Sequence, residues 1–280
     1  MPVRSPKTRR HSPVTWAQRE RRRRWRRAAP ILAAIVVAAA AVAVTVRLLG
    51  GSSGRCQQSF VPAFFAPGSG WSQAISATPP PGVMILDISG TGAGSAPNPA
   101  FQAVVRQAQA AGVTVLGYSG TDYTGRPVAA VEADVRHYRS WYGVTGIFLD
   151  QSASGAGQLG YYRQLAAYIR RLSPGSRIWL NPGTYPAESY MSIANVIMVY
   201  EGTYADYRHI GVPAWTARYP ADRFAHTIYA TPAGELDHAI NLARARHAGY
   251  VYVTSGSGAN PYSALPAYWA AEDTALGAKC

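Results

Sequence analysis

A (β/α)8 TIM-type barrel preceded by a single N-terminal transmembrane helix is the architecture this 280-residue sequence predicts. Three observations predict it. Basic charge is concentrated in the first fifty-five residues, and an uncharged apolar run lies inside that segment. Everything beyond alternates short apolar runs with amphipathic stretches, the sequence pattern of strands followed by helices.

Residues 1–55 hold 13 of the 27 Arg and Lys against a single acid, Glu20. Residues 56–280 therefore carry 14 basic and 13 acidic side chains, which is close to neutral. The net charge of +13 belongs to the tail and gives no ground for a nucleic-acid partner, although the tail alone can attract polyanions without specificity. Arg19 to Arg27 is a cationic block, and Ala28 to Val46 follows with no charged residue. At about 1.5 Å per residue that run approaches the roughly 30 Å hydrocarbon core, with Leu48 and Leu49 to extend it. The expected order is a cytoplasmic basic tail (1–27), a transmembrane signal-anchor in the bilayer (28–49), a linker (50–58) and an extracytoplasmic barrel domain (59–280). A cleaved signal peptide and a secreted barrel is the competing reading, since Ala38 to Ala43 offers small-residue cleavage sites. Cys56 and Cys280 bracket the exported part, and in an oxidising exterior they are expected to join its two termini in a disulfide. The alternative is two unrelated thiols.

The candidate strands, in order, are the apolar runs Phe60–Phe65, Val83–Ile88, Val113–Tyr118, Gly146–Leu149, Arg177–Leu180, Val196–Tyr200, Phe224–Tyr229 and Tyr250–Thr254. Between them, Phe101–Ala111, Val128–Trp141 and Tyr161–Leu172 carry apolar residues at helical spacing, and Gly234–His247 begins just after Pro232. Eight strands with intervening helices match a closed barrel; a doubly wound open sheet is the alternative, because periodicity does not show closure. No glycine-rich phosphate loop follows any strand. Gly90-Thr91-Gly92-Ala93-Gly94 lacks the third glycine at the required spacing and reads as a tight loop at the barrel rim.

Polar groups collect at the strand ends: Asp87, Tyr118 with Asp122, Asp150, Asn181, Glu201, Tyr229 and Thr254. In a parallel barrel these positions converge on one face, where barrels keep their chemistry. Asp150 closes the run Gly146-Ile147-Phe148-Leu149, and Glu201 closes Val196-Ile197-Met198-Val199-Tyr200. Two carboxylates on two strand ends are the minimum for acid/base work on a glycosidic bond. The six histidines form no HxH or HExxH arrangement, so no metal and no cofactor is expected, and His226 inside a strand reads as a core histidine. There is no GxSxG elbow for a serine nucleophile, and Ser255-Gly256-Ser257-Gly258 reads as a flexible loop. Among 18 tyrosines, Tyr118, Tyr123, Tyr161, Tyr162, Tyr185, Tyr200, Tyr204 and Tyr207 lie near predicted rim loops, where flat rings suit pyranose faces; about half are expected to fill helix–strand contacts instead.

The series Gly117-Tyr118, Thr121, Tyr123, Gly125-Arg126-Pro127, Trp141-Tyr142, Gly146 to Asp150, Tyr161-Tyr162, Asn181-Pro182-Gly183-Thr184 and Glu201 resembles the spherulation-specific family 4, or spherulin-like, proteins. The resemblance covers roughly residues 60–255. It implies a β/α-barrel glycoside hydrolase, endo-acting on α-1,4-linked, partly de-N-acetylated galactosamine polymers of microbial exopolysaccharide; separately, a monomer is expected. Carried over residue by residue, it implies Asp150 and Glu201 as the catalytic carboxylates. The substrate-binding set expected around them is Asp87, Tyr118, Asp122, Tyr123, Arg126, Gln151, Asn181 and Tyr204. Rim acids such as Asp87, Asp122 and Asp206 would complement the ammonium groups of the polymer.

Two departures qualify this expectation. The family pattern has Asp-Glu where this chain has Asp150-Gln151, and an amide does not exchange a proton near neutral pH. The second is Asp87-Ile88-Ser89-Gly90-Thr91-Gly92, where relatives read Asn-Pro followed by Ser-Gly-Pro-Gly. A catalytically silent carbohydrate-binding barrel is therefore the rival reading, and a hydrolase of another cell-surface glycan the third.

Overall fold

The computed structural model describes residues 57–277. The basic tail, the segment 28–49, most of the linker and both cysteines lie outside the described residues. Among those described, no helix is long and apolar enough to cross a membrane.

The sheet is a closed barrel of eight strands in sequence order. They are β1 (Gln58–Ala63), β2 (Val83–Leu86), β3 (Thr114–Gly120), β4 (Gly146–Asp150), β5 (Ile178–Leu180), β6 (Val196–Thr203), β7 (Phe224–Tyr229) and β8 (Tyr250–Val253). Every neighbouring pair is parallel, and β8 closes on β1 through Gln58 opposite Tyr250. The doubly wound alternative is excluded by that closure. All eight expected strands form, with shifted ends. Phe64 and Phe65 leave β1 because the Phe64 amide turns back to the Pro62 carbonyl at 2.9 Å.

The helices on the outside are α1 (Ser69–Ile75), α2 (Pro99–Ala110), α3 (Val128–Tyr142), α4 (Leu159–Leu172), a single turn α5 (Tyr204–Tyr207), α6 (Leu236–Ala245) and α7 (Trp269–Gly277). Asn98 caps α2, accepting from the Ala100 amide at 3.0 Å, and Pro99 occupies the first helical position, where its missing N–H costs nothing. α3 stops at Gly143, whose φ of 67° is open to glycine at little cost. α4 buries Leu159, Tyr162, Leu165, Ala166 and Ile169, one stripe at i, i+3, i+4 spacing. Each large aliphatic side chain in that stripe contributes about 1.5–3 kcal/mol by leaving water.

The barrel interior is filled rather than hollow. Phe60 on β1 meets Trp179 on β5, on opposite walls, with ring centroids 5.5 Å apart, and Trp179 meets Tyr250 on β8 at 4.8 Å. His226 on β7 faces the other way and is fully buried between the barrel wall and α5, as expected for a core histidine, where Nδ1 bonds the Tyr207 hydroxyl at 2.6 Å. Burial, with the nearby Arg246 charge adding to it, pushes its pKa down to about 3, so it is neutral.

Candidate active site

Strict alternation on a strand puts every second residue on the same side. Phe148 and Asp150 on β4 obey it, as do Trp179 and Asn181 at the end of β5. Glu201 does not, because Met198 and Glu201 are three residues apart yet line the same interior cavity with Phe148, Asp150 and Asn181. The β6–β7 register explains this. Met198 pairs with Ala225 and Tyr200 with the next residue, His226, so Val199 is skipped. This β-bulge reverses the parity of β6 beyond Val199 and turns Glu201 inward, towards Asp150.

One amide joins the two acids. Asn181 Nδ2 donates to Asp150 Oδ1 at 2.6 Å and to Glu201 Oε2 at 2.5 Å. The Gly183 amide donates to Asn181 Oδ1 at 2.9 Å, which fixes which end of the amide is the donor. The two bridged oxygens therefore lie within about 5 Å of one another, the sum of two short hydrogen bonds. Each carboxylate also receives a tyrosine: the Tyr118 hydroxyl donates to Asp150 Oδ2 at 2.7 Å and the Tyr262 hydroxyl to Glu201 Oε1 at 2.6 Å. Phe64 stands between those tyrosines, edge-on to Tyr118 at 5.3 Å and to Tyr262 at 5.6 Å. The acids are thus held by neighbours whose own positions are set by packing.

Burial raises the Asp150 carboxyl above its ordinary value, and hydrogen bonds from Tyr118, Asn181 and the Gln151 backbone pull it back. Glu201 is raised first by burial and then by the charge on Asp150, against the donations from Tyr262 and Asn181. Two anions about 5 Å apart repel by roughly 3 kcal/mol at an effective dielectric of about 20. Burial and this repulsion together favour a proton on one of the two at pH values where isolated carboxyls would both be ionised.

Around the pair opens a cleft of about 600 Å³, lined by Phe64, Asp87, Tyr123, Gln151, Tyr229, Asn260 and Tyr262 together with Asn181 and the two acids. Three of its lining residues are carboxylic acids and none is basic. Asp87 is held by the amides of Ser89 at 3.1 Å and Gly90 at 2.8 Å; burial, and to a lesser extent Asp150, raises its carboxyl. Tyr123, 60% exposed, stands at the edge on a strained loop. Asp122, Tyr123 and Thr124 have φ of 46°, 51° and 86°, and Gln151 has 49°. Such conformations cost about 1–3 kcal/mol each, so something must hold them. The hold is an extension of the β3–β4 ladder: the Thr121 amide donates to the Asp150 carbonyl at 2.9 Å and the Tyr123 amide to the Gln151 carbonyl at 2.8 Å. The Thr121 hydroxyl reaches the same two carbonyls.

The expected set divides. Asp87, Tyr123, Gln151, Asn181, Asp150 and Glu201 line the cleft, and Tyr118 supports Asp150 from below. Asp122, Arg126 and Tyr204 do not line it. Asp122 is exposed and folds onto its own loop, its carboxylate oxygen 2.6 Å from where a Cβ on Gly125 would stand. Arg126 is a staple: it pairs with Asp134 at 2.7 Å and also bonds the Ser119 hydroxyl and the carbonyls of Thr91 and Gly120. Asp134 in turn takes the Ala93 amide and packs so closely on Gly92 that a Cβ there would lie 2.3 Å from its oxygen. The Gly90–Gly94 rim loop is therefore pinned through Arg126 and Asp134. Tyr204 is buried beside α6, where its hydroxyl bonds Glu235 and His238, each at 2.6 Å. Thr203 caps α5, its hydroxyl accepting from the Asp206 amide at 3.1 Å and donating to the Asp206 carboxylate at 2.7 Å. Among the described residues, no group of three or more His, Cys, Asp or Glu side chains is placed to hold a metal.

Tyr262 and Asn260 are site residues that sequence reasoning missed, and they follow directly on Ser255 to Gly258, the stretch read as a flexible loop. That loop is fixed. Thr254 and Ala230 bond both sides of Gly256, and a Cβ on Gly256 would lie 2.0 Å from the Pro261 carbonyl oxygen. The close approach folds Gly258 to Tyr262 back as one wall of the cleft. Only the paired small residues of Ser255 to Gly258 hinted at it.

A profile of the spherulation-specific family 4 matches residues 60–275. Spherulin-4 of Physarum polycephalum is 30% identical over 232 residues, covering 78% of this chain and 69% of that protein. Among solved structures, Aspergillus clavatus Sph3 in complex with GalNAc superposes with a TM-score of 0.70 at 22% identity, over 80% of this chain and 99% of that one. A chitinase of Rhizomucor miehei gives 0.52 at 10% identity, over 80% of this chain and 100% of its own. At these identities the two structures share the barrel fold with this chain.

Proposed function

This chain belongs to the spherulation-specific family 4, and from that premise we propose that its barrel is a glycoside hydrolase acting on α-1,4-linked, galactosamine-containing exopolysaccharide. The observation that carries the reading is the Asp150–Asn181–Glu201 bridge at the floor of an open, acid-lined cleft. Bridged oxygens no more than about 5 Å apart leave little room for the water that inverting enzymes hold between carboxyls about 6.5–9.5 Å apart, which favours the closer, retaining arrangement.

Asp150, with its three stabilising hydrogen bonds, loses its proton first and attacks the anomeric carbon. Glu201, raised further by the Asp150 charge, keeps its proton and gives it to the departing glycosidic oxygen. Water then attacks the glycosyl–Asp150 ester while Glu201 takes back a proton. The Tyr262 hydroxyl can accept from protonated Glu201 and donate to it when ionised, so it serves both half-reactions. Tyr123 presents an exposed ring to a neighbouring sugar, and Asp87 adds a third carboxylate facing the ammonium groups of a de-N-acetylated polymer. An amino sugar is also the ligand named for the Aspergillus clavatus protein. Residues 28–49 would tether the barrel outside the cell.

The Gln151 side chain lines the cleft without a bond to either carboxylate, its link to Asp150 running through the backbone, which supports a binding role for the side chain and a catalytic pair that is complete without it. The test is release of oligosaccharides from partly deacetylated galactosamine polymer, beside a panel of other glycans. Wild-type turnover lost in both Asp150→Asn and Glu201→Gln supports the reading. Binding without turnover, converted to turnover by Gln151→Glu, would replace it with the sugar-binding barrel.

A further inference from the structure

The opposite rim of the barrel holds a second recess, of about 390 Å³, whose lining includes Arg170, Arg177, Asn195, Asp222 and Arg223. Its position follows from the strands. Arg177 directly precedes β5, Asn195 precedes β6 and Arg223 precedes β7, three neighbours in the barrel. Arg170 comes from the last turn of α4, which runs back to the same end.

Each guanidinium is held by neutral groups: oxygens in all three, and for Arg177 and Arg223 also the rings of Tyr250 and Tyr219 beneath them. Arg223 spans the carbonyls of Met191, Ala194 and Asn195 through Nε and Nη2. Arg170 Nη2 reaches the Ile193 carbonyl, and Arg177 Nη2 donates to the Tyr250 hydroxyl at 2.7 Å. No carboxylate among the described residues lies within ion-pair distance of any of the three, Asp222 included. In all three the Nη1 group takes no acceptor from the described residues, and none is sealed from solvent. The recess therefore carries three fixed positive charges and one nearby negative one, with donors to spare.

We propose that this recess is a binding site for a phosphate group. Guanidinium donors match the oxygens of a phosphate in pairs, and a dianion removes the mutual repulsion of three cations in one step. Carbonyl and hydroxyl contacts fix the side chains beforehand, so little rotamer entropy is lost on binding. The site is separate from the cleft, and the proposal stands whether or not the barrel is a hydrolase.

Two sources of the group are distinguished by experiment on the full chain: inorganic phosphate or pyrophosphate in calorimetry, and vesicles of phosphatidylglycerol against phosphatidylcholine in co-sedimentation. The basic tail is common to wild type and variants, so differences between them read the recess. Arg177→Gln is the chosen variant, since it gives up contacts with one tyrosine, its hydroxyl and its ring face, and no backbone hydrogen bond. Arg171→Gln, on the same helix turn as Arg170 but outside the recess, is the control. The expected result is at least a tenfold loss of affinity in Arg177→Gln for one of the two ligands, little change in Arg171→Gln, and a further loss in Arg170→Gln. Loss for pyrophosphate assigns a soluble phosphate; loss for phosphatidylglycerol alone assigns a lipid headgroup. If Arg177→Gln matches wild type for both, or Arg171→Gln weakens binding equally, the site does not exist.

Discussion

The two ends of this barrel handle charge in opposite ways. At the carboxyl end of the strands Asp87, Asp150 and Glu201 share a cleft with no cation; at the amino end Arg170, Arg177 and Arg223 share a recess with no paired anion. Between these extremes stands Arg126–Asp134, a bonded pair that pins a loop. The contrast separates two uses of charge. A charge satisfied within the chain holds structure, whereas charges gathered with like charges and left facing solvent are arranged for something not yet bound.

The strongest way to break the comparison is at the acids. Asp150→Asn and Glu201→Gln should each lower polymer cleavage by at least about a thousandfold, the upper range for a positioned acid or nucleophile, while phosphate binding at the opposite end stays unchanged. Linked losses at both ends would show that the two rims are not independent. Next comes the internal pair. Asp134→Asn leaves Arg126 half-buried without its anion and should cost about 3 kcal/mol, or roughly 6–12 °C in Tm, whereas Arg177→Gln should leave Tm nearly unmoved. Equal melting shifts would erase the distinction between structural and unpaired charge.

Smaller effects sharpen the cleft itself. Tyr118→Phe removes a donor to ionised Asp150 and raises its pKa further, so the acidic limb of the pH–rate profile should move to higher pH with about a tenfold drop in rate. Tyr262→Phe raises Glu201 in the same way. Because Glu201 must be protonated to act as the acid, there the alkaline limb should move to higher pH. Exchange of the two limbs would reverse the assigned roles. The smallest change is expected at Tyr123→Ala, about a three- to tenfold rise in KM with kcat little altered, from loss of one ring face.

The barrel was legible in the sequence because each strand is a short apolar run between turn residues, and the amphipathic helices α3, α4 and α6 have a clear stripe. α7 was not, since its apolar residues surround it without a stripe and so give no period. The acids were legible as strand ends, but the alignment of Glu201 with Asp150 was not. It depends on a bulge at Val199, and a continuous run of apolar residues looks the same with or without one. Arg126 and Tyr204 failed for a different reason. Sequence order places a side chain near a rim, but whether it faces the cleft or the helices is settled by partners such as Asp134 and Glu235, far away along the chain. Tyr262 was missed because its loop is shaped by contact with Gly256 rather than by any periodic signal.

The shared amide at position 181 makes the pair vulnerable through a residue that transfers no proton. Replacing Asn181 by aspartate would exchange a donor for a third negative charge between the two acids; serine would be too short to span them. A lineage could lose its chemistry at this one codon while both carboxylates stayed in place. In comparing copies of this barrel, the amide is therefore as informative a witness to lost or retained activity as either acid it holds.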